Sequence, residues 1–577
     1  MKTRIRYKTF DQLSFADLLV YSKLPQHPFW NHVESKIDFS FADTLCAVLY
    51  SGRGQCPYAP SLKLKVHLIQ VYYDLSDRST EEKIIGDLFI KRFLGLPVDF
   101  FGFDHSTIGL DRTRMGVAMF HACHLYILAQ MYSLGLWGNH DEQWIIDSFP
   151  CNVGIELVGA YRLIQQAMEK ILRHLKQTHP ALYELACKSL LLDTMTLQIT
   201  AESSTSDRLL AFSKLVTQAY GLLAWFETEE VSLLFWNWDN VPAQQKSLGL
   251  QGTLKQILME NSRPTHPDED TQMPTPSSDE PSSDQPSATE TQGPQSTAAE
   301  PESKDVPVKH VKTPRKQRPA NRIISAHDPH ARVGMKTRFK VIKGYKTQNL
   351  CTTSGVILHA KVIPATEPDG EAMYDMVHQI QSFFGIAPKG ILGDTLYGYG
   401  KQRVELASIG IAVTAPVASP QNPKGLFTNT RFTYNREKDV YVCPNHKESV
   451  WKRGNPKQQG SQHHFSKDDC NGCPFRSQCT TSSSGRSVFH SNYYELYEEA
   501  KAFNATDKGK ELLKQRYLVE RKNNEMKNDC GLGTPRTRGQ KSLSIKATLV
   551  AIVINLKSSV RRLLAPKPGF LRRVTTA

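Results

Sequence analysis

Two apolar runs far apart in the chain lead into an aspartate. "EQWIIDSFP", 142–150, carries Asp147, and "GILGDTLYGYG", 390–400, carries Asp394. A short apolar run bounded by turn residues reads as a buried strand. An acid at the C-terminal edge of such a strand lies where α/β sheets place their sites. A third acid sits in "YLVERKNNEMK", 517–527. At ~100° per residue, Arg516, Glu520 and Lys527 fall within about 40° of one another on a helix. Leu512, Leu513, Val519 and Asn523 lie on or near that face, while Glu525 projects from the far side and reads as a solvated charge. A carboxylate on an inward face needs a partner or a metal; Arg516, four residues earlier, offers an ordinary ion pair. Three such acids are hard oxygen ligands suited to Mg²⁺. Two ions ~3.5–4 Å apart serve an in-line phosphoryl displacement. A strand-end aspartate taken alone more often caps a helix or turn. Asp193, in "LLLDTMT", also ends an apolar run and competes with Asp147 for the first position.

A second chemistry-bearing group is "YVCPNHKE" followed by "DDCNGCPFRSQC". Cys443, Cys470, Cys473 and Cys479 stand in the spacing C-x26-C-x2-C-x5-C. Four thiols around a C-x2-C knuckle suit a closed, tetrahedral structural Zn²⁺ site. His446, His463 and His464 are nearby substitutes for a ligand, and chance clustering is the competing explanation.

The elements that must position these residues differ along the chain. Residues 1–140 carry helical periodicity, with Ser79 or Thr80 as an expected cap and a short helix at 103–116 exposing Arg112 and Arg114. Short helices with basic ends suit a helix-turn-helix DNA reader, and equally a plain helical bundle. Residues 155–260 are again helical. The stretch 261–305 holds eight prolines and ten acids with almost no apolar side chains, and is expected to be disordered. "VPVKHVKTPRKQRPANRI" then carries six Lys/Arg and no acid. It is either a phosphate-touching arm or a tail paired with the acidic stretch. From about 335 the pattern becomes β, with a turn at Ser354-Gly355, then a helix, the Asp394 strand, another helix and a further strand. Residues 493–563 are helical.

The 577 residues allow two to four domains. A net charge of +14 favours a polyanionic partner without requiring one. No secretory signal opens the chain, and the ten-residue run "ATLVAIVINL", 547–556, is too short to span a bilayer. The eleven cysteines are expected as reduced thiols in a cytoplasmic protein with no membrane partner.

Four stretches together resemble the DDE-type transposases of bacterial insertion sequences, which have an RNase H-like core. They are "LSDRSTEEKIIGDLFIKRFLGL…FDHSTIGLDRTRMG", "WIIDSFP", "DPHARVGMKTRFKVIKGYK…GILGDTLYGYG" and "RYLVERKNNEMKNDCGLGTPRTRGQ". The resemblance implies Asp147, Asp394 and Glu520 as catalytic metal ligands for two Mg²⁺ (or Mn²⁺) ions. It implies DNA contacts from Lys527 and orientation of the site by Arg516. The helix signature of many such transposases places a tyrosine where this chain has Leu513. The long segment 151–330 after the first aspartate also departs from the usual core. A cysteine-rich insert between the second aspartate and the glutamate occurs in relatives and would hold Zn²⁺.

The fold class expected is a multidomain α+β or α/β chain. A helical DNA-binding region spans 1–140, and the first part of the core with a helical segment 141–260. An acidic then basic linker follows at 261–322, the central core at 323–425, the zinc insert at 426–492, and the catalytic and closing helices at 493–577. The function implied is cleavage at terminal inverted repeats of double-stranded DNA and strand transfer into target DNA. Such a protein acts as at least a homodimer at the bacterial nucleoid. The competing readings are an inactive or domesticated DNA-binding relative, an RNase H-like nuclease, and an unrelated zinc scaffold.

Overall fold

The structure, a computed structural model, describes residues 5–10, 14–51, 54–102, 104–139, 141–197, 203–265, 309–337, 339–422 and 424–564. The acidic stretch lies almost wholly outside the described residues. The chain forms two compact units, one of residues 1–154 with 344–577 and the other of 155–343.

The first unit is built on a mixed sheet. Its strands are β1 (Trp144–Asn152), β2 (Lys340–Thr352), β3 (Ile357–Pro364), β4 (Ile391–Leu392) and β5 (Val413–Thr414). They lie in the order β3-β2-β1-β4-β5. β2 runs antiparallel to both β1 and β3, while β4 and β5 run parallel to β1. Gly355, at φ 83°, makes the β2–β3 turn where a side chain would be strained. The sheet is compatible with the mixed α/β core expected.

Helices cover the sheet. They include α1 (His105–Ser133), α2 (Met373–Phe384), α3 (Tyr517–Asn524) and α4 (Gln540–Leu564). One hydrophobic core runs from the N-terminal helices through α1 and the sheet to α4, joining Trp30, Leu68, Phe120, Ile146, Met376 and Ile552 among others. The apolar run at 547–556 is thus part of a longer helix than its composition suggested. α4 has 25 residues and meets the length and hydropathy of a membrane span, but its apolar window is 78% buried inside the unit. It is a core helix.

Two expectations for the helical region change. Ser76, not Ser79 or Thr80, caps the helix Asp77–Gly86, its Oγ accepting from the Ser79 N–H. The helix therefore starts a turn earlier and takes Ser79 and Thr80 inside. α1 continues well beyond 116, with Gly116 at φ 64° breaking its regularity. Arg112 on α1 is half-buried and ion-paired with Asp77 rather than presented to solvent. Arg114 is exposed and lies 5.2 Å from the Tyr50 ring.

The second unit is helical, with its own core under Ala160–Thr178, Thr205–Trp225 and Val241–Asn261. Residues 426–492 contain a three-stranded antiparallel sheet and a small hairpin around Phe432, Tyr441, Phe465 and Val488.

Where β2 turns into β3, Asn555 of α4 substitutes for a strand. Its Oδ1 accepts from the Ile357 N–H and its Nδ2 donates to the Ile357 carbonyl, both at 2.8 Å, with the residue fully buried. Asn555→Leu keeps the volume and orphans both backbone groups, at about 1–3 kcal/mol each. A clearly lowered melting temperature by calorimetry is expected; an unchanged one would remove this amide from the forces joining α4 to the sheet.

Candidate active site

Register brings the two aspartates together. β4 pairs with β1 only at Trp144↔Ile391 and Ile145↔Leu392. Two further steps along these parallel strands set Asp394 beside Asp147, where β4 leaves the sheet. Asp147 is consequently in the middle of β1 rather than at its end; the position is terminal only with respect to β4. Asp394 caps the short turn Thr395–Tyr397, its Oδ1 accepting from the Leu396 N–H at 2.7 Å. The capping role and proximity to Asp147 coexist, because a carboxylate has a second oxygen free.

α3 packs across β1 with Val519 and Asn523 buried. The Asn523 Nδ2 donates to Asp147 Oδ2 at 2.9 Å. Its Oδ1 accepts from Nδ2 of Asn349, the residue opposite Asp147 on β2, at 3.0 Å. This amide relay binds the helix to the strand one turn after Glu520. Glu520 itself is exposed at the rim, a correction to the inward face expected. The expected continuous helix is interrupted on both sides. One helix ends at Lys514, Arg516 flanks the start of α3, and Glu525–Asp529 form a π-turn. The wheel drawn through Leu513, Glu520 and Lys527 therefore spans three segments. Lys527 lies in the π-turn, packed against Gly533, where a Cβ would come within 2.7 Å of its Cγ. Glu525 is also not a solvated charge: it is largely buried and pairs with Lys522 at 3.0 Å and Arg561 at 3.6 Å.

Electrostatics link the acids. Burial pushes Asp147 up from 3.8 to about 6; its Ser148 N–H bond opposes this, Asp394 adds to it, Arg516 opposes it and Glu520 adds to it. The other two predicted acids and Arg516 thus act on Asp147. Four neighbours complete the site, of which sequence reasoning placed only Asn523, on the Glu520 face and without a partner. Asn523 and Asn349 form the relay. Asp369 accepts from Ser148 Oγ at 3.0 Å and pairs with Lys346 at 2.5 Å. Buried Tyr397 feels Asp369, Asp147 and Asp394, its hydroxyl pushed well up mainly by burial. Tyr397 was in view in "GDTLYG" and helical spacing put Asn523 on the Glu520 face; no spacing rule connects Asn349 and Asp369. Asp193, the competing first aspartate, belongs to the second unit, where it pairs with Lys214 at 2.5 Å and accepts from Gln218.

Beside α3 runs an open groove of about 800 Å³, lined by Gly355, Tyr517, Glu520, Arg521, Arg561 and Arg562 among others. In the insert, Cys443, Cys470, Cys473 and Cys479 line one cavity of about 30 Å³. Backbone N–H groups of Lys447 and Arg486 point at the sulfurs of Cys443 and Cys470, each at 3.4 Å. His446 takes φ 58° to close the first knuckle. Burial raises the Cys479 thiol; Arg486 opposes this, and the other three thiols add to it. Four soft donors with N–H···S bonds to two of them are chemically suited to Zn²⁺. His464 is instead stacked on Trp451, ring centroids 3.7 Å apart. Among the described residues, Glu81, Asp104 and His105 are the group of three whose ligand atoms all lie within 4.8 Å of one another. Neither the acids around Asp147 nor the thiols are drawn that close. Glu81 is occupied by the N–H and ring of His105 at 3.1 and 2.9 Å, joining two helices.

Comparison with known families adds to this geometry. Residues 442–560, taking in the four grouped cysteines, Glu520 and most of α4, match the Transposase DDE domain, and residues 19–114 match the Transposase domain (DUF772). Each match covers less than half of the chain, and both are to transposase domains, one of them of the DDE type. No curated protein and no solved structure matches it. Asp147 and Asp394 lie outside both matched stretches, so their case rests on register and electrostatics.

Asp147 gives a sign-definite prediction. Between about pH 4 and 6 the folded carboxyl still holds a proton that the unfolded chain has released. Folding takes up that proton, so stability in metal-free buffer falls as pH rises through this window. Asp147→Asn keeps the shape and an acceptor for Asn523 while removing the charge. At pH 7.5 without metal it should be more stable than wild type, by on the order of 1–3 kcal/mol. Mg²⁺ should raise the melting temperature of the wild type and not that of the variant. Equal stabilities at both pH 4 and 7.5 would contradict the placement of this charge.

Proposed function

We propose that the chain is an active DNA transposase with an RNase H-like core, in which Asp147, Asp394 and Glu520 hold two divalent cations, Mg²⁺ or Mn²⁺. The observation that carries this reading is the convergence of Asp394, Glu520 and Arg516 on Asp147, with the Transposase DDE domain match running across Glu520. When bound, the ions would activate the attacking oxygen and stabilise the leaving one.

The protein's own contribution is positioning, since phosphoryl transfer needs little covalent help. β1 and β4 hold two carboxylates at fixed separation, and the Asn523–Asn349 relay fixes the strand carboxylate and the helix carrying Glu520. Exposure of Glu520 leaves it reachable by a DNA end. Arg516 tempers the repulsion and orients the site, and Lys527 contacts DNA near that end. The groove beside α3, with exposed Tyr517 and Arg561 flanking Glu520, accommodates a DNA strand. The substrates in this reading are double-stranded terminal inverted repeats and target DNA. Two ends imply at least a homodimer, working in the cytoplasm at the nucleoid. The four cysteines hold a structural Zn²⁺.

Asp394→Ala and Glu520→Ala should retain binding to an end duplex in gel shifts and lose cleavage and strand transfer to background. Normal cleavage by Glu520→Ala would sink the assignment. Cleavage by wild type without any joined product from labelled donor ends would favour a nuclease instead. Metal analysis of protein purified under reducing conditions should find about one zinc per chain, lost in Cys473→Ser. A wild-type protein free of zinc would reject the thiol site.

A further inference from the structure

The second unit carries a loop whose construction no catalytic role explains. Residues 309–322, "KHVKTPRKQRPANR", contain six Lys/Arg and no acid. They are pinned at both ends. His310–Lys312 pairs antiparallel with Ser262–Pro264. The N–H groups of Lys309 and His310 both donate to the buried Ser213 Oγ, at 2.9 and 3.2 Å. The Thr313 N–H donates to the Asn261 carbonyl. At the far end the Ile323 N–H donates to Glu260 Oε2 at 2.7 Å, and the Ile323 side chain enters the core of the unit.

Between these anchors the backbone is folded rather than slack. Pro314 leads into a 3-10 turn, Arg315–Gln317, and the Arg322 N–H closes a turn back to Pro319. Arg318 Nε donates to the Thr313 carbonyl at 2.8 Å, bracing the turn with one side of its guanidinium. Arg315 and Lys316 are exposed, and Arg318 and Arg322 half-exposed. Among the described residues none of these four forms an ion pair. The groups acting on Arg318 after burial are Arg322 and Arg315, which are cations like itself.

Holding like charges together in this way works against folding. Self-repulsion at such spacing is only partly screened, with a Debye length of about 8–10 Å at physiological salt. The one acid engaged at the anchor, Glu260, is buried and used by the Ile323 N–H and Gln256. A rigid display of cations also loses little entropy on meeting a partner. We propose that this loop is a second, sequence-independent DNA contact, binding phosphodiester backbone through Arg315, Lys316 and Arg322. The inference rests on the transposase reading for the identity of the polyanion. The loop carries phosphate contacts, which position DNA without reading its sequence.

The test uses the full chain and a random-sequence duplex lacking any element end, with binding followed by fluorescence anisotropy over a range of KCl. The variant Arg315→Gln/Lys316→Gln/Arg322→Gln leaves every anchor and Arg318 in place. Its affinity for the random duplex should fall, and the slope of log K against log salt should become shallower by about 2–3. Cleavage at an element end, assayed at low salt, should persist. Unchanged affinity and slope, with wild type binding normally, would overturn the proposal. So would tighter binding by the variant, which would mean that the chain's own acidic stretch, 268–305, occupies the loop. Failure of wild type to bind either the random duplex or an element end would instead overturn the transposase reading, and this inference with it.

Discussion

Three carboxylates gathered around one strand repel one another, and much of the first unit is arranged to contain that repulsion. Asp147 is the focus, because it is the buried member and the one on which the other two act. What restrains it is local and polar. The Ser148 N–H and the Asn523 amide donate to it, and Arg516 supplies the opposing charge. An amide is suited to this place: it donates to a carboxylate without neutralising it. Its other end is held by Asn349 across the sheet, so the helix cannot roll without breaking two buried hydrogen bonds.

The shape of α3 follows from the same constraint. Val519 and Asn523 must face the strand while Glu520, adjacent to Val519, stays in contact with solvent. A long regular helix would impose one face over its whole length. The chain breaks before Arg516 and again in the π-turn at Glu525–Asp529, which frees eight residues to take their own orientation. Extra-wide turns of this kind occur often at functional sites. The π-turn also returns the chain to β1, where the Asn152 N–H donates to the Gly533 carbonyl. Behind the sheet, α4 supplies apolar bulk and the Asn555 amide, packing along β3 and buried along most of its length.

Between Asp147 and the sheet's second strand in sequence lies a separate unit of nearly two hundred residues with its own core. Such an insertion costs the sheet little, because loop closure entropy grows only slowly with length. The unit also gives its basic loop a firm base, a property that a free arm of the same composition would lack.

Much of the candidate site was legible in the residues. Apolar runs leading into Asp147 and Asp394, the charged stretch around Glu520 and the C-x2-C knuckle all follow from local patterning, since burial of a strand and the spacing of thiols leave their mark on neighbours in sequence. Local patterning likewise identified the helical segment after 155 and the turn at Gly355. It could not show that β4 pairs with β1 for only two residues, which is what makes a mid-strand aspartate the neighbour of Asp394. Nor could it show that the glutamate helix is cut in three, because helical periodicity is blind to a π-turn that preserves composition. Asn349 and Asp369 carry no signal in their own surroundings, and helical spacing gave Asn523 a face but no partner; their importance arises from contacts across 174, 221 and 376 residues of sequence. The sequence alone therefore determined which groups were available for chemistry. Only the tertiary structure decided which of them share one electrostatic environment, because that depends on strand register and helix breaks, which are settled by packing between distant segments.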